Sequence, residues 1–132
     1  MTNRTIEPQG MYSPAGAYSH AVEIRGAGRT LYISGQLGVD PDGKTPDTFA
    51  AQAMLCWRNV VAILAAAEMT VHDLVKVTTF LTDIGDARAL TAIREPFLEG
   101  ARPASTLVAA AALVMPEWKI EVEAIAFKTG DG

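Results

Sequence analysis

The feature that most constrains this chain lies near its C-terminal end. "ASTLVAAAALV" (104–114) and "WKIEVEAIAF" (118–127) read as strands, and the alanines of 109–112 and the end of "EAIAF" are apolar on both faces. Strands of that kind are buried on both sides of their sheet. The rest of the chain supplies only two helical patterns, enough to cover one face. The second cover has to come from another copy of the chain, so a homo-oligomer with closed symmetry is expected.

The other elements follow from periodicity. "SHAVEI" is a short strand with apolar Ala21 and Val22, ended by the "RGAGR" turn. "TLYIS" sets Leu31 and Ile33 on one face and Tyr32 and Ser34 on the other, and the two strands together predict a hairpin. From Asp47 to about Met69 the pattern is helical: Met54, Val61 and Leu64 recur, with Trp57 and Val60 alongside and Asp47 or Thr48 as cap. "DLVKVTTFLT" alternates Val75, Val77, Thr79 and Leu81 against Lys76, Thr78 and Phe80. "DARALTAIREPFLEG" is a second helix with Asp86 as cap, Leu90, Ile93 and Phe97 as stripe and Gly100 as stop. Pro96 inside it predicts a kink or a tighter last turn. Residues 1–17 carry proline, glycine and serine without period and read as an irregular arm. Helices on one face of a mixed sheet make an α+β sandwich, and the length of 132 residues suits a single domain over 1–132.

Composition removes several function classes. The formal net charge is -4 and lysines and arginines do not cluster, which argues against nucleic acid as a partner. "MTNRTIEPQG" lacks the apolar core of a secretion signal, and no run approaches about 20 apolar residues. No membrane partner is expected, and the expected location is the cytoplasm. Cys56, the one cysteine, cannot form an internal disulfide and reads as a core residue of its helix. His20 and His72 lie far apart with no ligand partner at metal-binding spacing, so no metal is expected. Asp40-x-Asp42-Gly43 looks like the start of a calcium loop, but no further carboxylates follow and it reads as an Asp-Gly turn. Without a G-x-S-x-G elbow, a phosphate loop or a dinucleotide fingerprint, no cofactor is expected either.

Polar residues at strand ends are what remain for chemistry. Ser34 ends one strand, and Ser105 and Thr106 begin another. Glu121 and Glu123 are two apart and share a sheet face. On a face covered by an oligomer such carboxylates must be paired, with Lys119 or an arginine, or put to use. The serines can equally be hydroxyls satisfied by the backbone.

Taken together, "SPAGAYSHAV", "LYISGQLGVDPDGK", "AAQAMLCWRNVVAILAAA", "DLVKVTTFLTDIGD", "RPAST" and "KIEVEAIA" resemble the Rid family, also called YjgF/YER057c/UK114, in family order from about residue 10 to 128. The resemblance implies a chorismate-mutase-like fold and a homotrimer with three inter-subunit clefts, each taking a small-molecule acid. It also implies hydrolysis of reactive enamines and imines, such as 2-aminoacrylate, to 2-oxo acids and ammonia. Matched residue by residue, the cleft tyrosine falls on Tyr18, the serine and glycine of the S-G-Q motif on Ser34 and Gly35, and the glutamate that handles water or proton on Glu121. The polar residue of the second helix, often asparagine in the family, is Thr91.

"RPAST" departs from the family. Deaminating members carry an arginine directly after Pro-Ala, whose guanidinium grips the substrate carboxylate through paired hydrogen bonds. Here that position is Ser105, and the cysteine common two positions later is Leu107. A charged hydrogen bond is roughly twice as strong as a neutral one, so the acid anchor is weakened. Arg102 precedes Pro103 and starts from the opposite face, which suits a rim or interface role. Arg94 reads as a solvated surface charge of the second helix.

Three functions compete. One is hydrolysis of an enamine, imine or similar electrophile, with Glu121 directing water and Ser105, Thr106 and backbone amides holding the substrate. Another is a non-catalytic small-molecule binder acting as sensor or pathway accessory. RNA cleavage, attached to some relatives, is disfavoured by the acidic charge and the absence of a histidine or lysine pair near the cleft.

Overall fold

The computed structural model describes residues 3–130. In chain order the elements are β1 (Arg4–Ile6), β2 (Ala21–Glu23), β3 (Gly28–Leu37), α1 (Phe49–Ala66), β4 (Leu74–Leu81), α2 (Ala87–Leu98), β5 (Ala104–Ala109) and β6 (Ile120–Thr129). Short 3-10 turns at Val71–Asp73 and Ile84–Asp86 lead into β4 and α2. The main sheet has the order β3-β6-β4-β5, with β4 and β5 parallel and the other pairs antiparallel. This is the expected α+β arrangement of two helices and a mixed sheet.

Alternation decides which sheet face is the core. Val77, Thr79 and Leu81 of β4 and Ile120, Val122, Ala124 and Ala126 of β6 are buried in one core cluster, into which α1 packs against β3 and β6. Val75 does not join them, because the ladder slips between Leu74 and Lys76 and Leu74 turns inward instead. The opposite face carries Tyr32, Thr106, Val108 and Glu123, all exposed, and the half-buried Lys76.

Four expectations are corrected. The predicted hairpin does not form: β2 pairs with β1, and β3 pairs with β6 along almost its whole length, from Gly28↔Thr129 to Leu37↔Glu121. Pairing along a ten-residue strand satisfies far more backbone than three-residue β2 can offer. The arm is consequently not irregular throughout, since Arg4–Ile6 is the strand that β2 needs.

The third correction concerns helix rotation. Thr48 caps α1 through its side chain, accepting from the N–H of Ala51 at 3.2 Å. The buried stripe is Ala53, Cys56, Trp57, Val60 and Leu64, while Met54 and Val61 stay exposed. Two polar anchors fix that rotation. Gln52 donates to the carbonyls of Pro46 and Glu117 and accepts from the N–H of Lys119, and Asn59 donates to the carbonyls of Leu37 and Val39. Length and mean hydropathy (1.5) would let α1 cross a membrane, but its apolar stripe is packed against the sheet. Arg29 and Lys128 donate to the carbonyls of Ala67 and Glu68, which closes the C-terminal end of the helix.

The last correction is at 109–112. Strand β5 stops at Ala109, and the rest of the alanine run is loop, with Val114 85 % exposed. Its parallel partner β4 ends at Leu81, whose carbonyl takes a final bond from the N–H of Ala110. Beyond that point no neighbour remains to hold weak strand formers in line.

Candidate functional site

Helix α2 packs against α1, and a space of about 440 Å³ lies between α2, β5 and the arm. Each wall contributes polar groups. Thr91 and Arg94, three apart on α2, form one side, and Ser105 and Leu107 of β5 form the other. The arm closes the space with Tyr12, Tyr18 and His20. It is held there by Ser19, which is buried, donates from its backbone to the carbonyl of Pro103 and from its hydroxyl to that of Arg102, and bridges to Ala104. Of the residues expected at the site, Tyr18, Thr91 and Ser105 thus meet in one cavity. Thr91 Oγ1 donates to the carbonyl of Ala87 at 3.2 Å, leaving its lone pairs for a ligand.

Glu121 and Gly35 form a second group on the sheet's other face. The strand β3 bulges between Ile33 and Gln36, and a Cβ on Gly35 would collide with the carboxylate of Glu121. Glu121 is half-buried, and none of the four ion pairs among the described residues uses it. Ser34 opens onto a separate recess of about 210 Å³ with Lys76 and Glu123. Thr106 is on this face too, its hydroxyl accepting from Lys76 Nζ at 2.6 Å. One chain therefore presents two separate groups of candidate residues, on opposite sides of its sheet.

One of the two arginines falls differently from expectation. Arg102 is at the rim, 3.8 Å from Glu95 of α2. Arg94 is not a solvated charge: it is 8 % exposed, and its Nε has no hydrogen-bond partner. Burial pushes its pKa below the ordinary value, partly offset by the charge of Glu95. An arginine nonetheless stays cationic in that setting. The signal for this was in the sequence, since Arg94 is four residues from both Leu90 and Leu98, the two other buried positions of α2. The stripe Leu90, Ile93, Phe97 drew attention from it; Ile93 and Phe97 are only partly buried.

His20 and Tyr12 were also not expected here. Nε2 of His20 lies 2.6 Å from the carbonyl oxygen of Tyr12, which can only accept, so that nitrogen carries a proton. The two rings meet edge to face at 4.9 Å. Cys56 is buried as expected, and burial pushes its thiol up to about 12. Among the described residues no three metal-binding side chains gather.

Comparison with known proteins gives a consistent set of likenesses. The family model described as "Endoribonuclease L-PSP" matches residues 9–128. The 2-iminobutanoate/2-iminopropanoate deaminase of Escherichia coli (strain K12) is 35 % identical over 130 residues, 96 % of this chain and 98 % of that one. The crystal structure of a protein of unknown function of the conserved Rid family, YyfB from Yersinia pestis, superposes with a TM-score of 0.87 at 34 % identity, covering 96 % and 98 % of the two chains. Escherichia coli TdcF with bound serine superposes with a TM-score of 0.72 at 32 % identity, covering 96 % and 99 %.

Proposed function

The chain belongs to the Rid family, and from that premise we propose that it hydrolyses the C=N bond of a small imine, or of its enamine tautomer. Water adds to the carbon while the nitrogen takes a proton. The C–N bond of the resulting carbinolamine then breaks, leaving a carbonyl compound and ammonia. Such hydrolysis is intrinsically easy, so placement and one base suffice.

The observation that carries this reading is the setting of Glu121. Its carboxylate is held over the Gly35 backbone, half-buried, with no cation paired to it among the described residues. It can accept a hydrogen bond from water and then the proton. Tyr18, Thr91 and Ser105 would hold the substrate from the helix side, and Ser34, Gly35 and Thr106 from the open face. A cleft using both half-sites needs two copies, with Ser105 of one facing Glu121 of the next. A closed homotrimer supplies three such clefts, and the exposed Tyr32 and Val108 give that face apolar surface to bury. The serine in the related TdcF structure supports a ligand of amino-acid size.

The test is to generate 2-aminoacrylate and 2-iminobutanoate enzymatically and follow loss of the imine absorbance. Acceleration over buffer that disappears in Glu121→Gln is expected; decay at the buffer rate would remove the hydrolase reading. Ser105 in the place of a charged clamp favours a second reading, in which the cleft binds a small molecule without turning it over. Saturable binding of 2-oxo acids with no turnover would select it.

A further inference from the structure

We propose that Arg94 is the anion-binding residue of the cavity between α2 and β5, and that it takes one carboxylate group of the molecule bound there. The assignment concerns a cavity that the hydrolase reading above also uses, but it does not depend on turnover.

A guanidinium buried without a counter-charge is costly, and a fold keeps one only where something compensates it. Arg94 is 92 % buried, in the middle of α2 between the core residues Leu90 and Leu98. None of the four ion pairs among the described residues includes it, and its Nε is shielded from water with no acceptor. The adjacent carboxylate, Glu95, is turned to Arg102 at the rim. Among the described residues no carboxylate lines the cavity, and the charge of Glu95, outside it, offsets the burial of Arg94 only in part.

The space beside the guanidinium is shaped for a ligand to do so. It measures about 440 Å³, room for a molecule of a few heavy atoms with its waters. The planar fork of an arginine takes a carboxylate through two parallel hydrogen bonds. Ser105 and Tyr18, on the facing wall and the arm, add hydroxyls for a neighbouring polar group. With Arg94 as its one guanidinium, beside the His20 imidazole and neutral hydroxyls, the lining suits one negative charge better than a phosphate dianion. The strand wall of the cavity carries the neutral Ser105, and the guanidinium comes from the helix wall.

Calorimetric titration of the intact protein with 2-oxobutanoate, its uncharged primary amide and inorganic phosphate tests the site. The wild type is expected to bind the acid about ten- to a hundred-fold more tightly than the amide, the value of paired charged hydrogen bonds. Arg94→Gln should erase that difference while leaving amide binding unchanged, and Arg94→Lys should keep part of it. Equal affinity for acid and amide in the wild type overturns the proposal and needs no variant to fold. So does an Arg94→Gln protein that binds the acid as tightly as the wild type, or a wild type that prefers phosphate to the acid. If Arg94→Gln dissociates the oligomer while the wild type treats acid and amide alike, the residue belongs to a subunit contact and the proposal falls. Turnover is read separately. A wild type that binds the acid through Arg94 but hydrolyses no imine ends the hydrolase reading alone. Unchanged turnover of carboxylate imines by Arg94→Gln ends the anion site alone.

Discussion

The carboxylate of Glu121 occupies space that a Cβ at position 35 would need. Gly35 sits where β3 bulges out of its ladder with β6, so the backbone of one strand and the acid of the other share one small volume. A methyl group there cannot be added without moving the carboxylate. Gly35→Ala is expected to displace Glu121 by about an ångström and lower kcat by roughly 100-fold, with KM little changed. Thermal melting and steady-state kinetics together check this. A change in melting temperature with kcat intact would mean that Glu121 does no chemistry.

Gln52 carries the junction between the loop before α1 and the loop before β6. It is 1 % exposed and makes three hydrogen bonds, to the carbonyls of Pro46 and Glu117 and from the N–H of Lys119. Gln52→Leu keeps the volume and strands all three backbone groups. The expected loss is about 2–4 kcal/mol in urea denaturation. Because Lys119 directly precedes β6, the same variant should loosen the entry to the strand that bears Glu121. Hydrogen exchange at Ile120 and Glu121 reads that effect.

The elements were legible because apolar period reports burial of one face, and both helices and β3 to β6 obey it. What periodicity does not carry is pairing. Nothing in "SHAVEI" and "TLYIS" shows that β3 has a longer partner eighty residues on, or that Arg4–Ile6 waits for β2. Nor does it carry exact rotation, which in α1 is set by the polar anchors Gln52 and Asn59 rather than by Met54 and Val61. For the site, motif likeness found Tyr18, Thr91 and Ser105, which come together from an arm, a helix and a strand. Arg94 escaped because a charged residue in an amphipathic helix is ordinarily counted as solvent-facing, whatever its distance from the apolar stripe.

Cys56 should behave as an inert thiol. Burial is the main cause that raises its pKa to about 12, with the charge of Glu121 adding to it. Only a thiolate attacks an alkylating reagent, so iodoacetamide labelling at pH 8 is expected to be roughly a thousand-fold slower in the native protein than in denaturant. The linkage has a definite sign. The neutral thiol is favoured by folding, so its contribution is complete below the ordinary value of 9.0 and is lost as pH rises towards about 12. Cys56→Ala should therefore flatten the alkaline fall in stability over that window relative to the wild type. Equal slopes in the two proteins would show that the thiol is not shielded.

Mixing two disabled proteins tests whether the two half-sites belong to different copies. Ser105→Phe fills the cavity beside α2 and Glu121→Gln removes the proposed base, so neither variant alone should turn over an imine. If each cleft takes Ser105 from one copy and Glu121 from the next, random reassembly of equal amounts pairs two intact halves in about a quarter of clefts. Denaturing and refolding the variants together should then restore roughly a quarter of wild-type turnover, in particles of three times the 14.0 kDa chain mass. A site built within one chain gains nothing from mixing, because every chain present is damaged. Full inactivity of a mixed, correctly sized particle would place Ser105 and Glu121 in one subunit's site or in separate ones, and the shared cleft would have to be abandoned.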